Sequence, residues 1–346
     1  MSENRAVTLY GINDFKLEKR KIPEAGPGEL LVKVEVSGLC PSDVKIIRHG
    51  GFLVKYPVVL GHETAGRVFE VGKYVDDFSV GDKVTVAADV YCGTCENCRN
   101  GKENLCEKPL SFGYNFDGSH ADYMIVPRAG VPRAVFRLPD DMSFETASMS
   151  EPFACVIHSM NVSNASPKNK VAIVGDGPMG LLHVIAGKIY GFSSISVLGL
   201  VDRKLNIALE LGADKVYNRK EYKDVQSIKS ENKEGFDIVY ITVVNGTTID
   251  EALQLVKKGG KIVIFAGVPA HSVSFNLDPN VIHYSEVTLL GSYGYTYSEY
   301  NSSVHLLYKH KEAIKIVSHV LPLNRFNEAI DIWDNKEESI KILISR

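Results

Sequence analysis

The sequence predicts an α/β protein in two parts, a β-rich barrel followed by a doubly wound parallel sheet. Two patterns carry that expectation. Up to about residue 150, runs such as Leu30-Leu31-Val32-Lys33-Val34-Glu35-Val36 and Lys83-Val84-Thr85-Val86-Ala87 alternate with a period of two, as strands with one buried face do. Turn signals separate them at Gly26-Pro27-Gly28, Gly50-Gly51, Gly81-Asp82 and Asp117-Gly118. From about residue 168 uninterrupted apolar strands alternate with helical stretches, which argues a parallel sheet covered on both faces.

Taken in order, Lys170 to Val174 is an apolar strand, followed by a glycine turn and an apolar helix from Leu181 to Tyr190. Ile195 to Leu198 is a second strand and Arg203 to Leu211 a second helix. Strands at Ile238 to Thr242 and Lys261 to Ala266 flank a helix from Ile249 to Val256. The stretch from Lys220 to Glu234 mixes lysines with acids and reads as a solvated surface. Beyond about residue 290 the order loosens, and Ile340 to Ile344 forms a last strand.

With 346 residues the chain is long enough for two domains with sizeable cores. Its 45% hydrophobic and 23% charged content is that of an ordinary soluble globular protein. A net charge of -3 offers no electrostatic basis for binding nucleic acid or an anionic membrane. No uncharged apolar stretch approaches the ~20 residues of a membrane span. The start carries no apolar run of a secretory signal, so a cytoplasmic location is expected.

Four of the six cysteines, Cys92, Cys95, Cys98 and Cys106, form a Cys-x2-Cys-x2-Cys-x7-Cys run. Disulfides among such close neighbours would be strained, and a cytosolic compartment keeps thiols reduced. Tetrahedral Cys₄ zinc accounts for all four, although spacing alone also admits an iron–sulfur cluster. Arg99, Lys102 and Lys108 are balanced by Glu96, Glu103 and Glu107, so the lobe has no basic face for nucleic acid. Cys155 is left over and reads as a small buried hydrophobe.

Gly175, Gly177 and Gly180 make a Gly-x-Gly-x-x-Gly turn that follows a strand and opens a helix through Pro178 and Met179. In that setting the first glycine permits the turn, the second lets backbone approach a pyrophosphate, and the third lets helix pack on strand. The free N–H groups and partial positive charge of the helix start suit phosphate.

The remaining motif is Gly61-His62-Glu63. With Cys40 upstream and Glu151 downstream it supplies a thiolate, an imidazole and carboxylates, a set that suits a four-coordinate zinc with one open position. The order Gly61, His62, Glu63, Gly66, Gly72 and Val75 resembles the Gly-His-Glu-x2-Gly-x5-Gly-x2-Val signature of the zinc-containing medium-chain dehydrogenases, which act on alcohols, polyols and threonine. The likeness runs from Gly38 to the last strand, and the paired glutamates place it nearest the sorbitol and polyol branch.

That resemblance implies a GroES-like catalytic domain at residues 1–153 and 291–346, with a structural zinc lobe near 90–108. A Rossmann cofactor domain would occupy residues 154–290. It implies two zinc ions per subunit, one catalytic on Cys40, His62, Glu63 and Glu151 and one structural on the four cysteines, with the directly bound glutamate left open. Ser42 would pass the substrate proton toward the cofactor ribose, Asp43 would hydrogen-bond the zinc-bound His62, and Lys341 would lie near Glu63. Pro41 stands where many relatives have glycine. The metal lowers an alcohol's pKa so that hydride can leave for a nicotinamide, and in reverse polarises a carbonyl.

At the second strand's end, Gly199 takes the place of the usual ribose-binding acid, with Arg203 and Lys204 nearby. This favours NADP over NAD, although Asp202 could take the acid's role. Gly294 stands where sorbitol dehydrogenases carry an arginine that contacts the sugar, while Tyr295 is kept. Phe52, Tyr56, Phe112, Tyr114 and Phe116 are candidates for a pocket wall or for core packing. The expected protein is a homodimer or homotetramer that interconverts a secondary alcohol or polyol and its ketone. L-threonine or an aldose is the alternative substrate, and a catalytically silent zinc- and nucleotide-binding protein the alternative class.

Overall fold

The computed structural model describes residues 3–51, 53–268 and 277–346. The chain folds as two compact units, Met1–Ala154 with Tyr295–Arg346, and Cys155–Gly294.

In the first unit the strand Leu30–Leu39 is the axis. It pairs antiparallel with Glu63–Val71 on one side and Lys341–Ser345 on the other, and Tyr123–Val126 joins its beginning. The sheet continues through Lys83–Val86 to Val135–Arg137, and on the opposite side to Val317–Pro322. A smaller antiparallel sheet unites Asp14–Lys21, Glu3–Gly11 and Val58–Val59. Leu30, Val32 and Val34 bury their side chains with Val68, Val84, Val86 and Met124. The register sets Gly38 opposite Glu63 and Leu39 opposite Ile342. Three segments far apart in sequence therefore end side by side: Cys40 leaves one, His62 and Glu63 enter the second, and Lys341 begins the third.

The second unit is a six-stranded parallel sheet in the spatial order Lys215–Asn218, Ser194–Gly199, Lys170–Val174, Phe236–Ile241, Val256–Ile264, Thr288–Gly291. Counting strands along the chain, this is 3-2-1-4-5-6, the doubly wound order whose reversal lies at the first strand. Val171, Ala172 and Ile173 of that strand are fully buried, as the unbroken apolar run requires.

Two stretches are more ordered than their sequence suggests. Within Lys220 to Glu234, a helix at Val225–Glu231 starts on the Asp224 side chain, which accepts Gln226 N–H at 2.9 Å. Only Val225 and Ile228 anchor it, too few apolar positions to stand out among the charges. Beyond residue 290, a helix at Tyr297–Lys309 opens on a Thr296–Glu299 capping box, and Phe326–Asp334 buries Phe326, Ala329 and Ile330. Among the described residues no helix is long and apolar enough to cross a membrane.

Candidate functional site

Cys40 is the N-cap of the helix Pro41–His49. Pro41 takes the first helical position, where its missing N–H costs nothing. Asp43 completes a capping box, its Oδ2 accepting Cys40 N–H at 3.0 Å. That bond turns the other carboxylate oxygen toward His62, with Oδ1 3.5 Å from Nδ1. Ser42 Oγ lies 3.4 Å from His62 Nε2, on the opposite edge of the ring. The ligand atoms of Cys40, His62 and Glu63 all fall within 4.8 Å of one another.

Glu63 and Lys341 form an ion pair almost wholly removed from water, and the Lys341 ammonium also donates to Leu39 O at 3.3 Å. Gly38 makes this possible, because a Cβ there would lie 1.7 Å from Glu63 Oε2.

The electrostatics suit a cation. Burial would raise the Asp43 carboxyl, but His62 and His120 hold it far below the usual range. Burial would lower His62, yet Asp43 and Cys40 outweigh it and hold the imidazole well above its ordinary value. A field that draws a proton to His62 favours a metal ion at the same place. With a thiolate, an imidazole and a carboxylate converging, the donor set fits zinc with one position open. Glu151, at the start of the helix Ser150–Val162, stands outside this close trio. Burial, then the charges of Glu63 and Asp89, push it up to about 7 against the pull of His62 and Lys341.

The four lobe cysteines also gather within 4.8 Å. Backbone N–H groups aim at their sulfurs: Cys95 at Cys92 (3.4 Å), Cys98 at Cys95 (3.5 Å), and Cys92 and Lys108 at Cys106 (3.3 and 3.4 Å). The donors of Thr94 and Cys95 bring Cys92 down to about 5, whereas burial and neighbouring sulfur push Cys98 up to about 12. Four sulfurs so close would repel one another once deprotonated, so the cluster suits a central cation such as zinc.

In the second unit, Gly175 has φ of +121° and a Cβ on Gly180 would lie 1.9 Å from Gly175 O. Nothing stands within 4 Å of a Cβ on Gly177, so the middle of the turn is open to a ligand. Pro178 starts a helix of 13 residues and Met179 follows within its first turn. Gly199 ends the second strand against Asp176, whose carboxylate would be 2.6 Å from a Cβ there. Asp176 Oδ2 accepts Leu200 and Val201 N–H at 2.7 and 2.8 Å. The space a side chain at 199 would use is thus already taken by an acid from the glycine turn. Arg203 is exposed, while Lys204 is buried, its ammonium lowered by burial and partly restored by Asp176.

Two family models cover most of the chain. The alcohol dehydrogenase GroES-like domain family matches residues 26–140, and the zinc-binding dehydrogenase family matches 178–309. Sorbitol dehydrogenase of Bacillus subtilis is 33% identical over 84% of this chain and 82% of its own length. The chain belongs to the zinc-containing medium-chain dehydrogenases, in their polyol branch. L-threonine 3-dehydrogenase of Caldanaerobacter subterraneus subsp. tengcongensis is 31% identical over 94% of each chain. A zinc-binding dehydrogenase of Sinorhizobium meliloti 1021, solved with NADP bound, superposes with a TM-score of 0.92 at 28% identity over 100% of both chains. This dehydrogenase is therefore an oxidoreductase of the zinc-dependent alcohol and polyol type, with a nicotinamide cofactor.

Of the dehydrogenase's candidate wall residues, Tyr114 reaches the trio, its ring centroid 6.4 Å from that of His62. Phe112 and Phe116 pack on each other in the core, Tyr56 is exposed, and Phe52 lies outside the described residues. Tyr295 is fully buried, its hydroxyl accepting Ala88 N–H at 2.8 Å. Asp202 is occupied by Asn218, whose amide donates to Oδ1. Sequence reasoning missed Ser37, Asp176, His120 and Arg346. None has a ligand-like spacing. Strand pairing brings His120 in, its backbone bonding Leu60 O and Val7 N–H at 2.8 Å each.

Proposed function

We propose that this dehydrogenase oxidises a secondary hydroxyl of a polyol, and reduces the ketone in reverse, with zinc on Cys40, His62 and Glu63. The converging ligand atoms of that trio carry the proposal. A zinc held by these residues would supply Lewis acidity at an alcohol oxygen, and a nicotinamide would supply the hydride acceptor. Asp43 holds the proton on His62 Nδ1, leaving the Nε2 lone pair for the metal. Lys341 offsets the Glu63 charge, so the buried anions do not exceed what a dication balances. Ser42 Oγ, beside His62 Nε2, takes the substrate proton outward. Glu151, its carboxyl near neutrality, stands as the reserve ligand or proton holder.

We further propose a second, structural zinc on Cys92, Cys95, Cys98 and Cys106, and a nucleotide on Gly175, Gly177, Pro178, Met179 and Gly180 of the cofactor domain. NADP is the favoured form: Gly199 offers no acid, and exposed Arg203 can meet a 2′-phosphate. The enzyme is read as a cytoplasmic homodimer or homotetramer.

The test is nicotinamide absorbance with sugar alcohols, 2,3-butanediol, L-threonine and glucose, each with NAD and NADP, before and after a chelator. Chelator-sensitive turnover of a sugar alcohol is expected. Preference for L-threonine would move the substrate to the alternative branch, and no turnover on any compound would favour a silent protein.

A further inference from the structure

Behind Asp43, on the side away from His62, lies a second imidazole with no solvent exposure, that of His120. We infer that His120 is a positioning residue for His62, acting through the Asp43 carboxylate that lies between the two rings, in a chain of polar contacts that begins at Arg346. The inference rests on His62 being a zinc ligand.

Arg346 can only donate. Its guanidinium is fixed by carbonyls, Nε to Ala121 O at 2.8 Å and Nη1 to Ile344 O at 3.1 Å, with Nη2 on Ser119 O, and Nη2 also reaches Ser37 Oγ at 3.1 Å. Ser37 Oγ in turn is 2.9 Å from His120 Nδ1. His120 Nε2 faces Asp43 Oδ2 at 3.5 Å, and Asp43 Oδ1 faces His62 Nδ1 at 3.5 Å, both longer than a hydrogen bond, and neither ring nitrogen nor Oδ1 has another partner among the described residues. An ionised carboxylate only accepts, so both facing ring nitrogens carry the proton. Because Arg346 fills a lone pair of Ser37 Oγ, the Ser37 hydroxyl is free to donate to His120 Nδ1, which puts the ring proton on Nε2. The chain then ends on a His62 Nε2 that carries no proton and has Ser42 Oγ 3.4 Å away, the atom a metal needs.

The ring has little freedom to do otherwise. Gly61 precedes His62 at φ +96°, and a Cβ there would lie 2.8 Å from His120 Cγ. The Phe326 ring packs against it at a tilt, centroids 4.9 Å apart. The glycine of the Gly-His-Glu motif thus makes room for the residue that braces the histidine beside it.

The test measures zinc affinity by chelator competition, with the four-cysteine zinc as the check on folding. His120→Phe should weaken the Cys40–His62 zinc by ~10–100-fold and lower kcat more than it changes KM. His120→Gln, which keeps a donor toward Asp43, should recover part of that loss. Because the effect passes through Asp43, adding His120→Phe to Asp43→Ala should cost nothing further. An unchanged affinity in His120→Phe, or the full loss persisting on Asp43→Ala, would overturn the inference. Should His120→Phe also shed the lobe zinc, Ser37→Ala decides, with a weakening of about threefold or more expected and none counting against us. If His62→Ala keeps both zinc ions, the zinc-site reading itself has failed, a result distinct from either.

Discussion

The two metal-type clusters of the first unit are built in opposite ways. Cys92, Cys95, Cys98 and Cys106 belong to one short loop, and the loop's own N–H groups aim at the sulfurs. Cys40 and the adjacent pair His62 and Glu63 come from two segments and meet only because Leu30–Leu39 pairs with Glu63–Val71. The first cluster is closed, so a metal bound there would contribute to folding. The second stays open, and its geometry is held by a layer of partners: Asp43, Lys341 and, behind them, His120.

If that contrast holds, ligand removal should separate activity from stability. His62→Ala should cut kcat/KM by ~10³ or more, about 4 kcal/mol of transition-state stabilisation, with a small change in Tm and one zinc lost by elemental analysis. Cys98→Ser should do the reverse, lowering stability by about 4 kcal/mol in urea unfolding while the remaining folded protein turns over near the normal rate at low temperature. Lys341→Met tests the supporting layer. It leaves Glu63 buried and unpaired, so the metal-free protein should lose ~3 kcal/mol, and added zinc should restore much of it.

The second unit supplies a control outside both clusters. His183 is fully buried, with Met179 O at 2.7 Å and Ser159 Oγ at 2.9 Å, and burial lowers its pKa from 6.5 to about 4. A depressed value means the unfolded chain takes the proton first as pH falls. Stability is therefore fully present above pH 6.5 and declines toward pH 4, by about 2 kcal/mol between pH 7 and 5. His183→Gln should abolish that part of the slope in unfolding curves measured at the two pH values.

The doubly wound sheet was legible because unbroken strands such as Lys170–Val174 have a strong signal and the glycine turn marks the first of them. The ligands were legible through Gly61-His62-Glu63 and the regular cysteine spacing. What pairing alone creates was not: His120 is an isolated histidine in a loop, and Asp176 reads as a spacer between two glycines. Ser37 and Arg346 meet His120 only when strands remote in sequence are aligned. The helix Val225–Glu231 escaped for a different reason, its two apolar anchors being outnumbered by charges.

The most direct trial is X-ray diffraction from zinc-loaded crystals on either side of the zinc absorption edge. Two anomalous peaks per chain are predicted, one among the four cysteines and one touching Cys40 Sγ, His62 Nε2 and a glutamate oxygen. A lone peak at the four cysteines, in a protein that still turns over its alcohol, would contradict the account.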